Sequence, residues 1–232
     1  MSGARPAVVV LVAGTGTEVG KTWVSARLLE AWRAAGLTVA ARKPAQSFAP
    51  GDGPTDADVL AGASGEDPDV VCPPARSYPV PMAPPMAADV LGRPVPTVAA
   101  LADVDWPGAP VALGLVETAG GVRSPQGDDG DVTDLIDALA PAPDAVVLVA
   151  DAGLGTVNAV RLSVDALRPV LGGAGPGGGE RRAPVVVLNR FDEASDLHRR
   201  NRDWLRKRCG VTVVEGTPAG LGALAKELAI PC

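Results

Sequence analysis

The chain has 232 residues, 47% of them hydrophobic, so it can bury a sizeable core, and a single domain over residues 1–232 is expected. A net charge of −6 argues against a nucleic-acid or anionic-membrane surface, and the one apolar N-terminal run, seven residues long, is too short to span a bilayer. Three cysteines, Cys72, Cys209 and Cys232, with no C-x-x-C spacing, fit reduced thiols in a cytosolic protein better than a disulfide frame or a zinc site.

The first predicted strand, residues 7–13, runs into Gly14-Thr15-Gly16-Thr17-Glu18-Val19-Gly20-Lys21-Thr22 and then into a predicted helix over residues 21–35. Apolar strand, glycine-rich turn and helix N-terminus together make a phosphate cradle, in which backbone N–H groups converge on an anion and the helix dipole adds positive potential. Lys21 would reach the β- and γ-phosphates and the Thr22 hydroxyl would hold magnesium. Gly14 lies one residue further from Gly20 than G-x-x-x-x-G-K-[ST] requires; the strict position holds Thr15. A strand over 38–42 follows, with Lys43-Pro44 and Ser47 beyond it, and then a helix over 56–62 opening Thr55-Asp56-Ala57-Asp58. Residues 73–85, rich in proline, read as an ordered extended loop or a lid. A helix over 97–101 leads to a strand over 111–116, followed by Glu117-Thr118-Ala119-Gly120-Gly121.

A helix over 132–139 and a strand over 145–150 come next, the strand followed by the run Asp151 to Asn158 and a helix over 157–171. The glycine-rich stretch 172–180 reads as a flexible surface insertion. The strand over 184–189 ends on Asn189-Arg190. The helix over 197–207 is expected to pack around Leu197, Trp204 and Leu205, with its arginines as the solvated face and His198 at the surface. A strand over 212–215, the turn Gly216-Thr217-Pro218-Ala219-Gly220 and a helix over 221–228 close the pattern. Continuous Val/Leu runs mark strands covered on both faces, so the fold class is α/β: a doubly wound, mostly parallel sheet with helices on both faces, of the P-loop NTPase type. Such sheets bind ligands beyond the carboxyl ends of their strands. Thr22, Asp56 and Glu117 would supply a hydroxyl and two carboxylates, hard oxygens that suit magnesium. Asp56 read alone serves equally well as an N-cap or first-turn acid, and Lys43 as a solvated surface lysine. An acid at Glu117, after an apolar strand, has less structural reason to be there.

The motif Gly14–Thr22, followed by Lys43-Pro44 with Ser47, Asp56, Glu117 with Ala119-Gly120-Gly121, Leu154-Gly155 with Asn158, and Asn189, resembles the dethiobiotin synthetase family in the same order over nearly the whole chain. Two positions depart from the family's usual residues. Thr118 replaces the first glycine of Glu-Gly-Ala-Gly-Gly, which bears on the space for phosphate or substrate. Arg190 stands where an acid follows the asparagine, which bears on the purine pocket.

The resemblance implies a reaction in which 7,8-diaminopelargonate, CO2 and MgATP give dethiobiotin, ADP and phosphate. It implies Lys43 and Lys21 as the catalytic residues. ATP would be bound by Glu18, Val19, Gly20, Lys21, Thr22, Trp23, Asp56, Glu117, Thr118, Ala119, Gly120, Asn189, Arg190, Pro218, Ala219 and Gly220, and the magnesium by Thr22, Asp56 and Glu117. The substrate would meet Thr17, Lys43, Ser47, Leu154, Gly155, Thr156 and Asn158, the last four on a loop that reaches the partner subunit's site in a cytoplasmic homodimer. Two other classes share the nucleotide-binding pattern. A chromosome-partitioning switch ATPase carries a second lysine early in the loop, where this chain has Gly16. A corrin amidoligase adds a glutamine-hydrolysing domain, for which no room is expected before Cys232. A relative acting on a different amine or carboxylate stays open.

Overall fold

The computed structural model describes residues 3–140, 142–172 and 183–230. The main sheet is made of β1 (Val8–Gly14), β2 (Val39–Arg42), β5 (Leu113–Glu117), β6 (Ala145–Asp151), β7 (Val185–Asn189) and β8 (Val213–Glu215), and two short strands, β3 (Gln46–Ser47) and β4 (Ser77–Tyr78), pair apart from it. The helices are α1 (Lys21–Ala34), α2 (Asp56–Ser64), α3 (Pro68–Val71), α4 (Pro84–Val90), α5 (Val98–Ala102), α6 (Val132–Ala138), α7 (Thr156–Leu171), α8 (Asp196–Cys209) and α9 (Pro218–Leu228).

The sheet order is β2-β5-β1-β6-β7-β8, with every pairing parallel. All residues of β1 are buried, as its unbroken Val/Leu run requires. On one face α1, α2 and α9 cover Val10, Val12 and Leu115, with Trp32 donating its indole N–H to the Ala225 carbonyl at 2.8 Å. On the other, α6, α7 and α8 cover Leu11, Leu148 and Leu188 through Ile136, Leu167 and Leu205. The chain leaves β1 toward β2 at one edge and later returns to β6 on the other side of β1. That reversal opens a crevice at the carboxyl end of β1, between the β5 and β6 ends, where residues after each strand converge.

The structure corrects several expectations. Residues 73–85, expected as an ordered extended loop or a lid, hold regular elements as well: a 3-10 turn (Pro74–Arg76), the strand β4 and the start of α4. Prolines open both helical pieces, where a missing N–H costs nothing, and β4 pairs in parallel with β3, Gln46 opposite Ser77. The elements β3, β4, α3 and α4 were absent from the sequence reading. In α8 only Leu205 is buried; Leu197 and Trp204 are 41% and 54% exposed, so two of the three expected core residues face outward. The last helix starts earlier, at Pro218, because Thr217 caps it by accepting the Gly220 N–H. Most of the glycine-rich stretch 172–180, and Cys232, lie outside the described residues; Cys72 and Cys209 are free thiols. No described helix is long and apolar enough to cross a membrane.

Candidate functional site

The carboxyl end of β1 delivers the glycine-rich turn to the mouth of a cavity of about 640 Å³. Gly14 is the last residue of β1, and a Cβ there would lie 3.0 Å from the Lys21 side chain, the Val19 side chain and the Gly16 carbonyl, so the absent methyl makes room for the lysine stem. Gly20 caps α1 at φ 90°, a left-handed conformation that glycine adopts without strain, and a Cβ there would fall 2.0 Å from Asn189 Nδ2. Lys21 is buried and its Nζ donates to the Gly16 carbonyl at 3.1 Å. Burial first, and the ammonium of Lys43 second, push its pKa down to about 8 against the pull of Glu117 and Asp56.

Lys43 follows β2 and is almost wholly buried. Its Nζ lies 2.7 Å from Glu117 Oε1, 2.8 Å from Asp56 Oδ2 and 3.2 Å from the Thr118 carbonyl. Burial alone would lower its pKa; the two carboxylates overcome that and raise it. Lys43 is therefore a fixed cation inside the site rather than a solvated lysine. Thr22 Oγ1 lies 2.7 Å from Asp56 Oδ1 and 2.9 Å from Glu117 Oε1. Asp56 is a first-turn acid of α2 but neither its cap nor its box acid: Thr55 accepts from the Asp58 N–H and Asp58 returns the bond, which leaves the Asp56 carboxylate to the cluster. Despite the opposing effect of burial, Lys43 and Thr22 hold its pKa down to about 2.

The structure thus brings Lys21, Thr22, Lys43, Asp56 and Glu117 together from four separate chain segments. Glu18, Gly20, Arg190, Ala119, Gly120, Thr17 and Ser47 also line the cavity, and Phe48, Pro81, Met82 and Pro84 give it an apolar side. Other expected residues sit elsewhere. Thr118 is fully buried, and its hydroxyl faces the Val12 carbonyl at 3.4 Å rather than the cavity. Trp23 is exposed, with Arg27 stacked 5.6 Å from its ring centroid. Asn189 donates to the Val19 carbonyl at 3.0 Å, with Gly216 packed on its backbone and Pro218, Ala219 and Gly220 in the first turn of α9. Leu154 (93% exposed), Gly155, Thr156 and Asn158 lie at the start of α7, off the cavity wall. His198 accepts from the Asp192 N–H at 3.0 Å, away from the cavity.

Sequence reasoning missed three supports. Ser25, one helical turn beyond Lys21 on α1, donates to Glu117 Oε2 at 2.6 Å; its i, i+4 spacing from the lysine was a usable signal. Gln126 grips Ala119 on both sides, accepting from its N–H at 3.1 Å and donating to its carbonyl at 2.8 Å. Gln46 accepts from the Ala57 N–H at 2.9 Å and donates to Ser77 at 2.9 Å, which locates the first turn of α2. Buried glutamines carry no spacing signal.

A family model described as an AAA domain matches residues 9–218. The ATP-dependent dethiobiotin synthetase BioD of Rhodococcus jostii (strain RHA1) is 41% identical over 94% of this chain and 89% of its own length. The chain belongs to the dethiobiotin synthetase family. BioD of Haloferax mediterranei is 36% identical over 95% of this chain and 88% of its own, and that of Streptomyces avermitilis 37% over 93% and 85%. Among solved structures, the signal recognition particle receptor FtsY from Elizabethkingia anophelis superposes with a TM-score of 0.51 at 15% identity, covering 99% of this chain and 67% of FtsY, a likeness of fold alone. This synthetase is accordingly an ATP-dependent ligase on a P-loop NTPase fold. Family membership sets aside the switch ATPase and the corrin amidoligase.

Proposed function

We propose that this protein, acting as one domain over residues 1–232, closes the ureido ring of dethiobiotin from 7,8-diaminopelargonate, CO2 and ATP. The observation that carries the reading is the buried Lys43 ammonium between Glu117 and Asp56, next to the phosphate loop, in a chain of this family. One amine of the substrate adds to CO2 and loses a proton, giving a carbamate. A carbamate oxygen then bonds to the γ-phosphorus as ADP leaves. The second amine attacks the carbonyl carbon of the mixed anhydride, and phosphate leaves as the ring closes. No protein nucleophile is needed; the demands are positioning and charge stabilisation.

Lys43 supplies the second of these, because two anions must meet and a fixed cation between them, in a water-poor site, offsets their repulsion. Lys21 would hold the β- and γ-phosphates, and Thr17 and Ser47 the amine or carbamate. The Thr22 hydroxyl lies 2.7 Å from the Asp56 carboxylate and 2.9 Å from that of Glu117, and these three hard-oxygen groups would hold magnesium. That ion would neutralise phosphate charge. Asn189 with Pro218, Ala219 and Gly220 would line the adenine site. Leu154 to Asn158 stand clear of their own cavity, and Leu154 is 93% exposed, which supports their use against the partner subunit of a homodimer in the cytoplasm. The N-terminus of α7 there favours a carboxylate.

ADP release by the purified protein, measured with and without diaminopelargonate and bicarbonate, tests the reading. Release is expected only when both are present. Turnover indifferent to the diamine would reject it, and full activity from a species that light scattering shows to be monomeric would reject the shared site.

A further inference from the structure

Among the described residues, two that are not glycine adopt positive φ: Glu18 at 59° and Arg190 at 54°. They are in contact. Arg190 Nη2 donates to the Glu18 carbonyl at 2.9 Å, and the neighbouring Asn189 donates to the Val19 carbonyl at 3.0 Å. Left-handed backbone at a non-glycine residue is strained and persists only where its surroundings enforce it. Here both strained residues meet at one hydrogen bond between the glycine-rich turn and the end of β7.

Arg190 is itself held. Its Nη1 pairs with Asp151 Oδ2 at 2.8 Å, at the end of β6, and the other oxygen of Asp151 accepts from the Gly153 N–H at 2.8 Å. The bond from Arg190 keeps the Asp151 carboxyl below the usual range. Two of the guanidinium's five N–H donors thus go to protein acceptors, a carboxylate and a backbone carbonyl, which fixes where the side chain lies. In a trans peptide the carbonyl and the following N–H point in opposite directions. Drawing the Glu18 and Val19 carbonyls toward β7 turns the N–H groups of Val19 and Gly20 away from β7, and neither donates to a backbone acceptor among the described residues. Two adjacent outward N–H groups at a helix N-terminus form an anion nest.

We propose that Asp151 and Arg190 are positioning residues that set the peptide planes of the phosphate loop, so that Arg190 acts on phosphate through the Glu18 carbonyl rather than by touching it. The inference rests on the reading of Gly14 to Thr22 as a phosphate loop. The two roles for Arg190 differ in sign at Asp151. If Arg190 touched the anion directly, removing the carboxylate that holds it would free a cation and strengthen anion binding. If it acts through Glu18, the same change loosens the clamp and weakens binding.

The test is calorimetric binding of inorganic tripolyphosphate to the full chain and to Lys21→Ala, Arg190→Gly and Asp151→Asn, with thermal unfolding of each. Glycine relieves the strain at φ 54°, so Arg190→Gly should unfold no earlier than the parent while binding about tenfold more weakly. Asp151→Asn should bind about threefold more weakly, and Lys21→Ala should lose most binding. Parent-like binding by Arg190→Gly and Asp151→Asn, with Lys21→Ala impaired, would overturn the clamp and leave the phosphate loop standing. Tighter binding by Asp151→Asn, or a fall in unfolding temperature that accounts for the loss in Arg190→Gly, would also overturn it. Binding by Lys21→Ala equal to the parent's would bring down the phosphate-loop reading and the clamp together.

Discussion

Two ion pairs of nearly equal length stand at the same edge of the sheet and do different work. Lys43–Glu117 spans 2.7 Å with side chains 1% and 0% exposed; Arg190–Asp151 spans 2.8 Å with side chains 59% and 47% exposed. The first lies on the β2–β5–β1 half, where both charges are buried beneath the cavity and each depends on its partners, Asp56 among them. The second lies on the β6–β7 half, where solvent screens it and its value is geometric. Distance alone does not rank them; burial does. On the roles proposed above, charge that acts on a reacting phosphoryl group would sit where the dielectric is low, and charge that only shapes a loop would stay at the surface.

The sharpest way to break this contrast is Lys43→Gln. Removing one member of a buried pair strands the others, so the ligand-free protein should lose about 3–5 kcal/mol of stability in urea unfolding. Magnesium should restore part of it if Asp56 and Glu117 bind the ion. ADP release that depends on diamine and bicarbonate should vanish, while ATP affinity stays within a few-fold. A parallel loss of ATP affinity would reduce Lys43 to a phosphate clamp, and retained substrate-dependent turnover would remove it from the reaction.

Ser25→Ala probes the same buried side more gently. The Ser25 hydroxyl is the donor to Glu117 Oε2 at 2.6 Å, in a fully buried position. Loss of that donor should cost about 1–3 kcal/mol and raise the magnesium concentration needed for half-maximal turnover. An unchanged magnesium titration would show that Glu117 keeps its orientation without Ser25.

A smaller effect is expected from pH. Burial and Lys43 bring the pKa of Lys21 from 10.5 to about 8, so in the ligand-free site its charge is present below that pH and fades above it. Bound phosphates favour the charged form. Nucleotide binding should therefore take up a proton above about pH 8, and affinity should weaken there, by up to about tenfold per pH unit. The sign for stability is the reverse: between about 8 and 10.5 the unfolded chain holds this proton and the folded one does not, so this lysine's contribution rises with pH. Calorimetry in buffers of different ionisation enthalpy would expose the proton, and equal heats at pH 9 would contradict the shift.

The buried half was the more legible in sequence. An apolar strand, a glycine-rich turn and strand-end acids are local patterns, and the rule that ligands sit beyond parallel strand ends was enough to bring Lys43, Asp56 and Glu117 to Lys21 and Thr22. What sequence reasoning could not reach were contacts decided by tertiary burial. Gln46 and Gln126 matter because their amides find buried backbone partners, and β3 and β4 exist because two short segments meet across 31 residues of chain. In α8 the helical pattern identified an apolar stripe of Leu197, Trp204 and Leu205, but periodicity does not say how much of a stripe is covered, and only Leu205 is. Arg190 was visible as a departure from its family's acid, yet its grip on Glu18 depends on two left-handed residues that no propensity marks.

The smallest expected effect sharpens the comparison most. A double-mutant cycle on Arg190 and Asp151, read in the same urea unfolding assay as Lys43, should give a coupling of about 0–1 kcal/mol that falls as salt is raised. Both side chains are roughly half exposed, so water solvates each charge when its partner is removed, and little is gained or lost by the pair itself. A cycle on Lys43 and Glu117 should give a coupling several times larger and much less sensitive to salt, because both side chains are buried. A coupling at Arg190–Asp151 well above 1 kcal/mol would mean that the glycine-rich turn excludes water from the second pair as well. The division of the sheet edge into a buried reacting half and a screened shaping half would then fail.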